Sequence, residues 1–357
     1  MAAYINRIAS AVPENDIHLA FCGYAEAMLP HPTHRALFRR MASRSQIQHR
    51  WSALKPPGAG ADDGIVDADG FYQRGAFPST AARMRRYEAD APALAFKALE
   101  RLGLDEMAGE VTHLILTTCT GFSAPGLDIE IVERFGLAPS VERTSIGFMG
   151  CYAAVNALKL ARHIVRSEPK AKVLLVSLEL CSLHLQETEE LEQSLTFMIF
   201  GDGCAAALVS AEPEGLLLDG FHVELDLAAR EQITWKVRDL GFDMVLSGQV
   251  PAAVGRAVRQ GRERILGGLE AHEIDLWAVH PGGRSVLDAV EEGLALPQGA
   301  LAPSREVLAA FGNMSSATVL FVLETIMRGP TRGLRGCGMA FGPGLSAETF
   351  TFSGAAA

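Results

Sequence analysis

The chain has 357 residues, of which 48% are hydrophobic and 21% charged, so it could form two domains or one large fused unit. Its 32 Lys and Arg residues against 42 Asp and Glu give a net charge of −10, which argues against nucleic-acid binding as a main function. The N-terminal segment MAAYINRIAS lacks the pattern of a signal peptide, and no apolar run approaches the roughly 20 residues of a membrane helix.

The six cysteines contain no C-x-x-C pair, so the sequence predicts neither a zinc knuckle nor a thioredoxin-like motif. We therefore expect a cytoplasmic protein with reduced thiols and with no membrane or nucleic-acid partner.

In chain order, the Gly-, Pro- and Asp-rich stretch from Lys55 to Gly75 predicts an exposed loop. Helical periodicity follows over Ala89 to Leu102 and again over Ala154 to Val165. Short runs rich in apolar and β-branched residues predict strands at 113–118, 172–178, 205–210, 276–280 and 348–352. Strands that alternate with helices predict an α/β fold, with helices on both faces of a mixed or parallel sheet.

The pattern contains a faint repeat. A predicted strand ends at Thr118, and Cys151 opens a helix 33 residues later; another strand ends at His280, and Asn313 opens a helix after the same interval. The repeat predicts two duplicated halves, residues 1–212 and 213–357. A pseudo-twofold axis between them would bring Cys151, His280 and Asn313 to one central site.

Each of these three residues has a possible chemical role. The positive end of a helix stabilises a thiolate at Cys151, and His280 lies at a strand end, where catalytic groups of α/β folds project. Alternatively, Cys151 is a small buried hydrophobe, His280 a core histidine and Asn313 a helix N-cap. Papain-like proteases share the order Cys, His, Asn, but no Cys-Gly-Ser-Cys-Trp segment surrounds Cys151.

Two loose G-x-G-x-x-A patterns begin at Gly201 and Gly342. The first runs into a predicted strand, and the second lies too near the C-terminus to open a helix. Neither therefore predicts a dinucleotide site, and both are better interpreted as tight turns.

Taken together, the motifs resemble those of the type III polyketide synthases, the chalcone-synthase-like members of the thiolase superfamily. The matching segments are Gly150-Cys151, His280-Pro281-Gly282-Gly283, Gly312-Asn313-Met314-Ser315-Ser316, Phe200-Gly201-Asp202-Gly203 and Phe341-Gly342-Pro343-Gly344. β-Ketoacyl carrier-protein synthase III shares the triad, but the F-G-P-G loop favours the polyketide branch. The resemblance implies a thiolase-like, five-layered αβαβα fold in two halves, the first carrying the cysteine, and a homodimer.

The resemblance also implies the chemistry. Cys151 would be loaded by an acyl-CoA starter, with His280 holding its thiolate in an ion pair. His280 and Asn313 would then stabilise the enolate left when malonyl-CoA loses CO₂. CoA thioesters would be the substrates, with no metal or other cofactor. Arg40 and Arg44 fall where the family contacts CoA phosphates.

At a third CoA-binding position the family often has a cation, and this chain has Leu37, so Arg35 or Arg39 would have to compensate. We also interpret the whole segment from Arg35 to Arg50, with five arginines, as a local cationic cluster.

The resemblance extends to the cavity. Phe200 matches one gatekeeper phenylalanine of the family, and Met244 replaces the other. Trp235 stands where chalcone synthase has a glycine, and its indole should block the pocket that holds a coumaroyl ring. Cys181 with Thr120 resembles bacterial enzymes that open a separate tunnel for long acyl chains. The remaining expected cavity residues are Cys119, His184 and Ser315, and Phe341, Gly342, Pro343 and Gly344 form the expected cyclisation loop.

Four functions remain open on the sequence alone. The first is an acyl-CoA-primed synthase of alkylpyrones or alkylresorcinols. The second is a malonyl-primed synthase of a small aromatic such as tetrahydroxynaphthalene or phloroglucinol. The third is a catalytically dead scaffold, which the intact triad opposes. The fourth is a thiol hydrolase, which would form no carbon–carbon bond.

Overall fold

The computed structural model describes residues 2–58 and 65–355. The helices are α1 (His18–Met28), α2 (Pro32–Arg44), α3 (Thr80–Leu102), α4 (Leu104–Met107), α5 (Leu127–Phe135), α6 (Ala153–Ser167), α7 (Leu191–Phe197), α8 (Val250–Ile265), α9 (Arg284–Leu294), α10 (Ala302–Phe311) and α11 (Thr318–Met327). The strands are β1 (Tyr4–Ala11), β2 (Asn15–Asp16), β3 (Trp51–Ser52), β4 (His113–Thr118), β5 (Glu142–Gly147), β6 (Val173–Leu180), β7 (Asp202–Ser210), β8 (Leu216–Leu225), β9 (Ile233–Arg238), β10 (Gly241–Leu246), β11 (Leu276–Val279), β12 (Arg335–Gly342) and β13 (Ser346–Gly354).

Nine strands form one sheet in the order β11-β12-β13-β8-β1-β7-β6-β4-β5. The predicted repeat is visible in the pairing. On one side β4 is parallel to β6, and β7 and β1 follow antiparallel. On the other side β11 is parallel to β12, and β13 and β8 follow antiparallel. The two series are joined where Tyr4 and Ile5 of β1 pair with β8.

Alternating side chains along the strands divide the molecule into layers. In β4, Leu114 and Leu116 pack under α3, whereas Ile115 faces the central layer formed by α6 and α11. In β11, Ala278 faces that same central layer, and Trp277 and Val279 face α8 and α9. The two series of strands, continuous through β1 and β8, therefore form the two sheet layers, with α6 and α11 between them and the other helices outside. This order of layers confirms the predicted five-layered αβαβα fold.

The predicted strands are all present, and most extend by a few residues beyond the predicted runs. The predicted helix at 89–102 is longer, because α3 begins at Thr80 after the N-cap Ser79. Its first turns carry several arginines, which obscured the apolar periodicity. One of them, Arg83, is fully buried and is held by three backbone carbonyls and the Tyr72 hydroxyl.

The helices after Cys151 and Asn313 begin slightly later than expected. A 3₁₀ turn at Gly150–Tyr152 leads into α6, and another at Ser315–Ala317 leads into α11. Asn313 therefore precedes the helix rather than capping it in the usual way. Its Oδ1 accepts a hydrogen bond from the Ser315 backbone N–H at 2.8 Å, which fixes the direction of its amide nitrogen.

The predicted loop at 55–75 includes residues 59–64, which lie outside the described residues. Residues 55–58 and 65–75 connect β3 to α3 without a helix. All six cysteines, which are in the described part of the chain, are free thiols. Within the same part, no helix has both the length and the apolarity needed to cross a membrane.

Candidate active site

Cys151 lies in the turn that starts α6, and only 8% of it is exposed. The preceding Gly150 has a φ of 75°, and a Cβ at this residue would lie 2.3 Å from the Pro343 Cδ atom. A Cβ on Gly342 would likewise lie 2.8 Å from the Tyr152 ring. The Phe341–Gly344 loop thus packs directly on the turn that holds the nucleophile, and both glycines are needed for this close approach.

Asn313 reaches Cys151 from a later part of the chain, and His280 lies beside Gly282, which contacts the Asn313 amide. His280 follows β11, is 1% exposed, and its backbone N–H donates to the Met339 carbonyl at 2.8 Å. Its two ring nitrogens have no hydrogen-bond partner within the described residues. The Asn313 amide nitrogen lies 3.4 Å from the carbonyl of Gly282, in the loop after His280. The His280 ring therefore keeps its nitrogens available for a ligand, whereas the Asn313 amide already contacts Gly282 and Cys151.

Burial shifts the pKa values of Cys151 and His280 in opposite directions. It raises the pKa of the Cys151 thiol to about 12; hydrogen bonds from Ser315 and Asn313 oppose this shift, and the nearby Glu179 carboxylate reinforces it. Burial also lowers the pKa of His280 to about 3. Each group alone is therefore neutral at pH 7.

A buried carboxylate that the sequence analysis missed lies behind the nucleophile. Glu179, in β6, accepts hydrogen bonds from the Cys119 backbone N–H at 3.0 Å and the Thr120 hydroxyl at 2.8 Å. The Cys119 thiol lies 3.3 Å from Glu179 and 3.4 Å from the Ser315 hydroxyl, which in turn bonds to Cys151. The available signal was a single acidic residue within a mainly apolar strand, because such a residue is rarely fully buried unless it is paired.

Cys151 opens into a cavity of about 30 Å³. Most of the predicted cavity residues line it: Cys119, Thr120, Cys181, Phe200, Trp235, Met244 and Ser315, together with Gly150, Phe197 and Pro343. Trp235 and Met244 face each other across the β9–β10 hairpin. The Trp235 Nε1–H donates to the Cys119 carbonyl at 2.7 Å, so the indole is fixed as a wall.

His184 does not line this cavity, although the sequence placed it there. Its ring stacks on Phe242 at 4.0 Å and meets the edge of Trp235. Nδ1 accepts from the Phe242 backbone N–H at 3.1 Å and Nε2 donates to the Thr120 carbonyl at 2.7 Å. With both nitrogens satisfied and its pKa lowered to about 3 by burial, His184 supports the cavity wall from behind.

A second cavity of about 30 Å³ adjoins the first. The two share Cys181, Phe197 and Phe200 as lining residues. The other lining residues of the second cavity are Ile17, Phe21, Arg50, Leu54, Val66, Ser182 and Leu185. Cys181 therefore stands between two small chambers, the outer one at the nucleophile and the inner one under α1.

An open groove of about 490 Å³ runs between α2 and the loop that follows His280. Arg44 lines it, as do Met41, Gly282, Gly283 and Arg284. Arg40 lies exposed on α2 but is not among the lining residues. Arg284, which the sequence analysis did not identify, adds a cation on the opposite side of the groove.

The five arginines from Arg35 to Arg50 do not form one surface cluster, contrary to the sequence interpretation. Arg35 donates to the Leu29 carbonyl at 2.6 Å, and Arg39 forms an ion pair with Glu26 at 3.2 Å. Both guanidinium groups are therefore already engaged within the protein, and compensation for Leu37 stays a prediction. Arg50 is only 1% exposed and lines the second cavity. Side-chain direction could not be inferred from spacing here, because the chain leaves the helix at Ser45.

Comparison with known proteins agrees with this geometry. Residues 30–213 match the family profile described as "Chalcone and stilbene synthases, N-terminal domain", and residues 226–355 match the corresponding C-terminal domain.

Two relatives are similar over most of their length. The chain is 34% identical to "Alpha-pyrone synthesis polyketide synthase-like Pks18" of Mycobacterium tuberculosis, over 90% of this chain and 83% of that protein. It is 32% identical to "Bisdemethoxycurcumin synthase" of Oryza sativa subsp. japonica, over 87% and 81%.

Among solved structures, the 1,3,6,8-tetrahydroxynaphthalene synthase of Streptomyces coelicolor, titled a bacterial type III polyketide synthase, superposes with a TM-score of 0.86. It is 26% identical to the chain, and the match covers 99% of this chain and 100% of that one.

Proposed function

Since the chain belongs to the chalcone and stilbene synthase family and is a type III polyketide synthase, we propose that it condenses malonyl-CoA onto an acyl-CoA starter and cyclises the product to an alkylpyrone or alkylresorcinol. The observation that carries this choice is the second cavity, which is largely apolar and adjoins the first at Cys181. A starter whose thioester is at Cys151 would direct its tail past Cys181 toward these apolar side chains. The relative named as an α-pyrone synthesis enzyme supports the same product class.

In the loading step, the Cys151 sulfur attacks the thioester carbonyl of the starter and the CoA thiolate leaves. His280 takes the Cys151 proton and returns it to the departing sulfur. The ring of His280 is suited to this exchange because neither nitrogen is committed to a partner in the described part of the protein.

In the extension step, malonyl-CoA loses CO₂ and leaves an enolate. A neutral His280 N–H and the Asn313 amide stabilise the enolate oxygen, and the enolate carbon attacks the acyl group on Cys151 and releases the thiolate. Fixed donors that face a developing oxyanion contribute about 10²–10³ in rate each. We propose that this stabilisation by His280 and Asn313 makes a metal or redox cofactor unnecessary.

We propose that the CoA moiety lies in the open groove, where Arg44 and Arg284 would meet its phosphates and Arg40 the exposed end. The groove ends at Gly282 and Gly283, beside His280. A pantetheine arm placed there would bring its thioester to the triad. The local positive charge is notable in a chain whose net charge is −10.

We also propose a cytoplasmic homodimer without nucleic-acid or membrane partners. The edge strand β5 supports the dimer, since most of its residues are exposed and unpaired edges are usually covered. Phe122 and Met149, both more than one-third exposed, lie beside this edge (45% and 37%). The six free thiols fit a reducing compartment.

A second candidate function is a malonyl-primed synthase of a small aromatic. Two observations favour it: Trp235 closes one side of a cavity of only about 30 Å³, and a tetrahydroxynaphthalene synthase is similar in structure. In this case the starter would not enter the second cavity.

Competition between starters distinguishes the acyl-primed function from the malonyl-primed one. Labelled malonyl-CoA is incubated with acetyl-, hexanoyl- and longer acyl-CoA thioesters, and kcat/KM is measured for each starter by mass analysis of products. The Cys181→Phe variant should lose activity with hexanoyl-CoA about 10–100-fold relative to acetyl-CoA, because about 0.8 kcal/mol is lost for each CH₂ that is no longer buried.

Cys181→Ser is the matched control, since it removes the thiol but keeps the passage open, and it should retain the wild-type ratio. If the ratio of kcat/KM between hexanoyl-CoA and acetyl-CoA is unchanged in Cys181→Phe, the acyl chain of the starter does not pass Cys181. A wild-type enzyme that uses malonyl-CoA as its only starter would establish the small-aromatic alternative.

A further inference from the structure

Arg50 is a buried cation that the proposed mechanism does not use. It lines the second cavity and is 1% exposed. The remaining walls of that cavity are almost entirely apolar, and Ser182, the other polar residue, is already bonded to Asp202 and Ser52. A single charged group thus borders an otherwise hydrophobic chamber.

Three of the guanidinium contacts hold Arg50 in place. Nε donates to His18 Nδ1 at 3.0 Å, and Nη1 donates to the carbonyls of Phe197 at 3.0 Å and Phe200 at 2.7 Å. The guanidinium carbon lies 4.7 Å from the centre of the Phe21 ring. Nη2, however, is buried without a hydrogen-bond partner among the residues that the structure describes.

The charge of Arg50 is not neutralised by a direct ion pair in the described regions. Asp202 is nearby, but its oxygens accept from the Ser182 N–H and hydroxyl and the Ala53 N–H. Asp16 accepts from backbone N–H groups of His18 and Arg50 and from the His49 ring.

Arg50 is nevertheless charged at neutral pH. Burial lowers its pKa only to about 10, and burial lowers that of His18 to about 4, so His18 is a neutral acceptor. A buried cation with an unsatisfied donor is costly, and an anionic acceptor that enters the cavity would offset that cost.

We infer that the second cavity receives the distal end of the starter acyl group, and that Arg50 selects starters whose distal end carries a carboxylate. The ligand class is an ω-carboxyacyl thioester. Its methylene groups would contact Ile17, Leu54 and Leu185, and its carboxylate would accept from Nη2. A plain alkanoyl tail of equal length would place a methyl group against that donor and leave it unsatisfied. This inference rests on the proposed acyl-primed function.

The test compares matched starters in the wild-type enzyme. Adipoyl-CoA and hexanoyl-CoA have the same number of carbons and differ by a carboxylate in place of the terminal methyl. The same comparison is made with succinyl- against butanoyl-CoA and suberoyl- against octanoyl-CoA. We expect the carboxylated starter to have at least a tenfold higher kcat/KM at one chain length and a smaller advantage at the others, since only one length places the carboxylate at Nη2.

The Arg50→Gln variant should reduce that advantage to near unity, and its circular dichroism spectrum and thermal unfolding midpoint report whether the fold is intact. Arg39→Gln, which removes an exposed cation on α2, is the control and should leave the advantage unchanged. If Arg50→Gln does not fold, the wild-type length series decides the question by itself.

An alkanoyl starter that is used as well as its carboxylated partner at every length would overturn the inference. If neither series primes the enzyme, the proposed function fails, and the inference is then judged by binding alone. Calorimetry on the Cys151→Ala variant would compare adipoyl-CoA with hexanoyl-CoA, and equal affinities would exclude selection by Arg50.

Discussion

At the scale of single residues, the site combines a thiol and an imidazole that burial makes neutral when each is considered alone. Burial raises the pKa of Cys151 to about 12 and lowers that of His280 to about 3. A catalytic cysteine must be a thiolate when it attacks. We propose that transfer of the Cys151 proton to His280 resolves the conflict, because it would convert two neutral groups into an ion pair whose charges stabilise each other.

We expect the rate of Cys151 alkylation by iodoacetamide to be nearly independent of pH between 6 and 8 in the wild-type enzyme. In His280→Ala the thiol loses its proton acceptor, so its pKa should approach the value of about 12 that burial imposes. The thiolate fraction below that pKa then rises about tenfold for each pH unit, and the rate should follow. The measurement is the second-order rate constant from pH 6 to 10, and identical profiles in both proteins would refute the ion pair.

The repeat and the motifs both point to Cys151, His280 and Asn313, and their catalytic role stays a prediction. Sequence reasoning could not assign His184 or Arg50 to their places. His184 and Trp235 meet only because the β9–β10 hairpin folds over the cavity, and the direction of Arg50 depends on contacts with residues almost 150 positions away. Long-range contacts of this kind leave no local periodicity to detect.

At the scale of elements, the turn before α6 depends on its contact with the loop at 341–344. Gly150→Ala would introduce a Cβ 2.3 Å from Pro343 Cδ at a residue with a φ of 75°. We expect it to destabilise the protein by about 1–3 kcal/mol and to lower kcat, since the turn that carries Cys151 must shift.

Chemical denaturation and steady-state kinetics measure these effects. Gly268→Ala is a suitable control, because this glycine also has a positive φ, of 82°, but a Cβ there would meet no atom within 4 Å. Backbone strain is then common to both variants, and the contact with Pro343 is specific to Gly150. Equal loss of activity in the two variants would contradict the proposed role of the loop.

The elements themselves were predictable where burial was uniform. The wholly buried β4 and β6 are mainly apolar in sequence, as strands covered on both faces should be. The start of α3 was missed because polar residues such as Arg83 are buried there through hydrogen bonds rather than apolarity. The division at residues 212 and 213 stays a prediction.

At the scale of the whole molecule, we expect a homodimer that forms along β5. Phe122→Glu combined with Met149→Glu should weaken the dimer at least a hundredfold, because two charges would be buried against a partner copy. Sedimentation velocity over a range of concentrations measures the shift.

Leu227→Glu is the control for surface charge. Leu227 is 72% exposed and belongs to the other half of the chain, so the control variant should remain dimeric. A wild-type protein that is monomeric at micromolar concentration would rule out the dimer.

The strand that joins the two halves also sets the order in which the protein can be completed during synthesis. β1 includes Ile5, which pairs with Val209 and Leu216, so this strand waits during synthesis for partners about 200 positions later. At 5–20 residues per second this interval is roughly 10 to 40 s. Throughout that time the strand has no neighbour in the sheet and can pair with other chains. The yield of active enzyme in a cell should therefore depend on chaperone supply and on the rate of translation as much as on the stability of the finished fold.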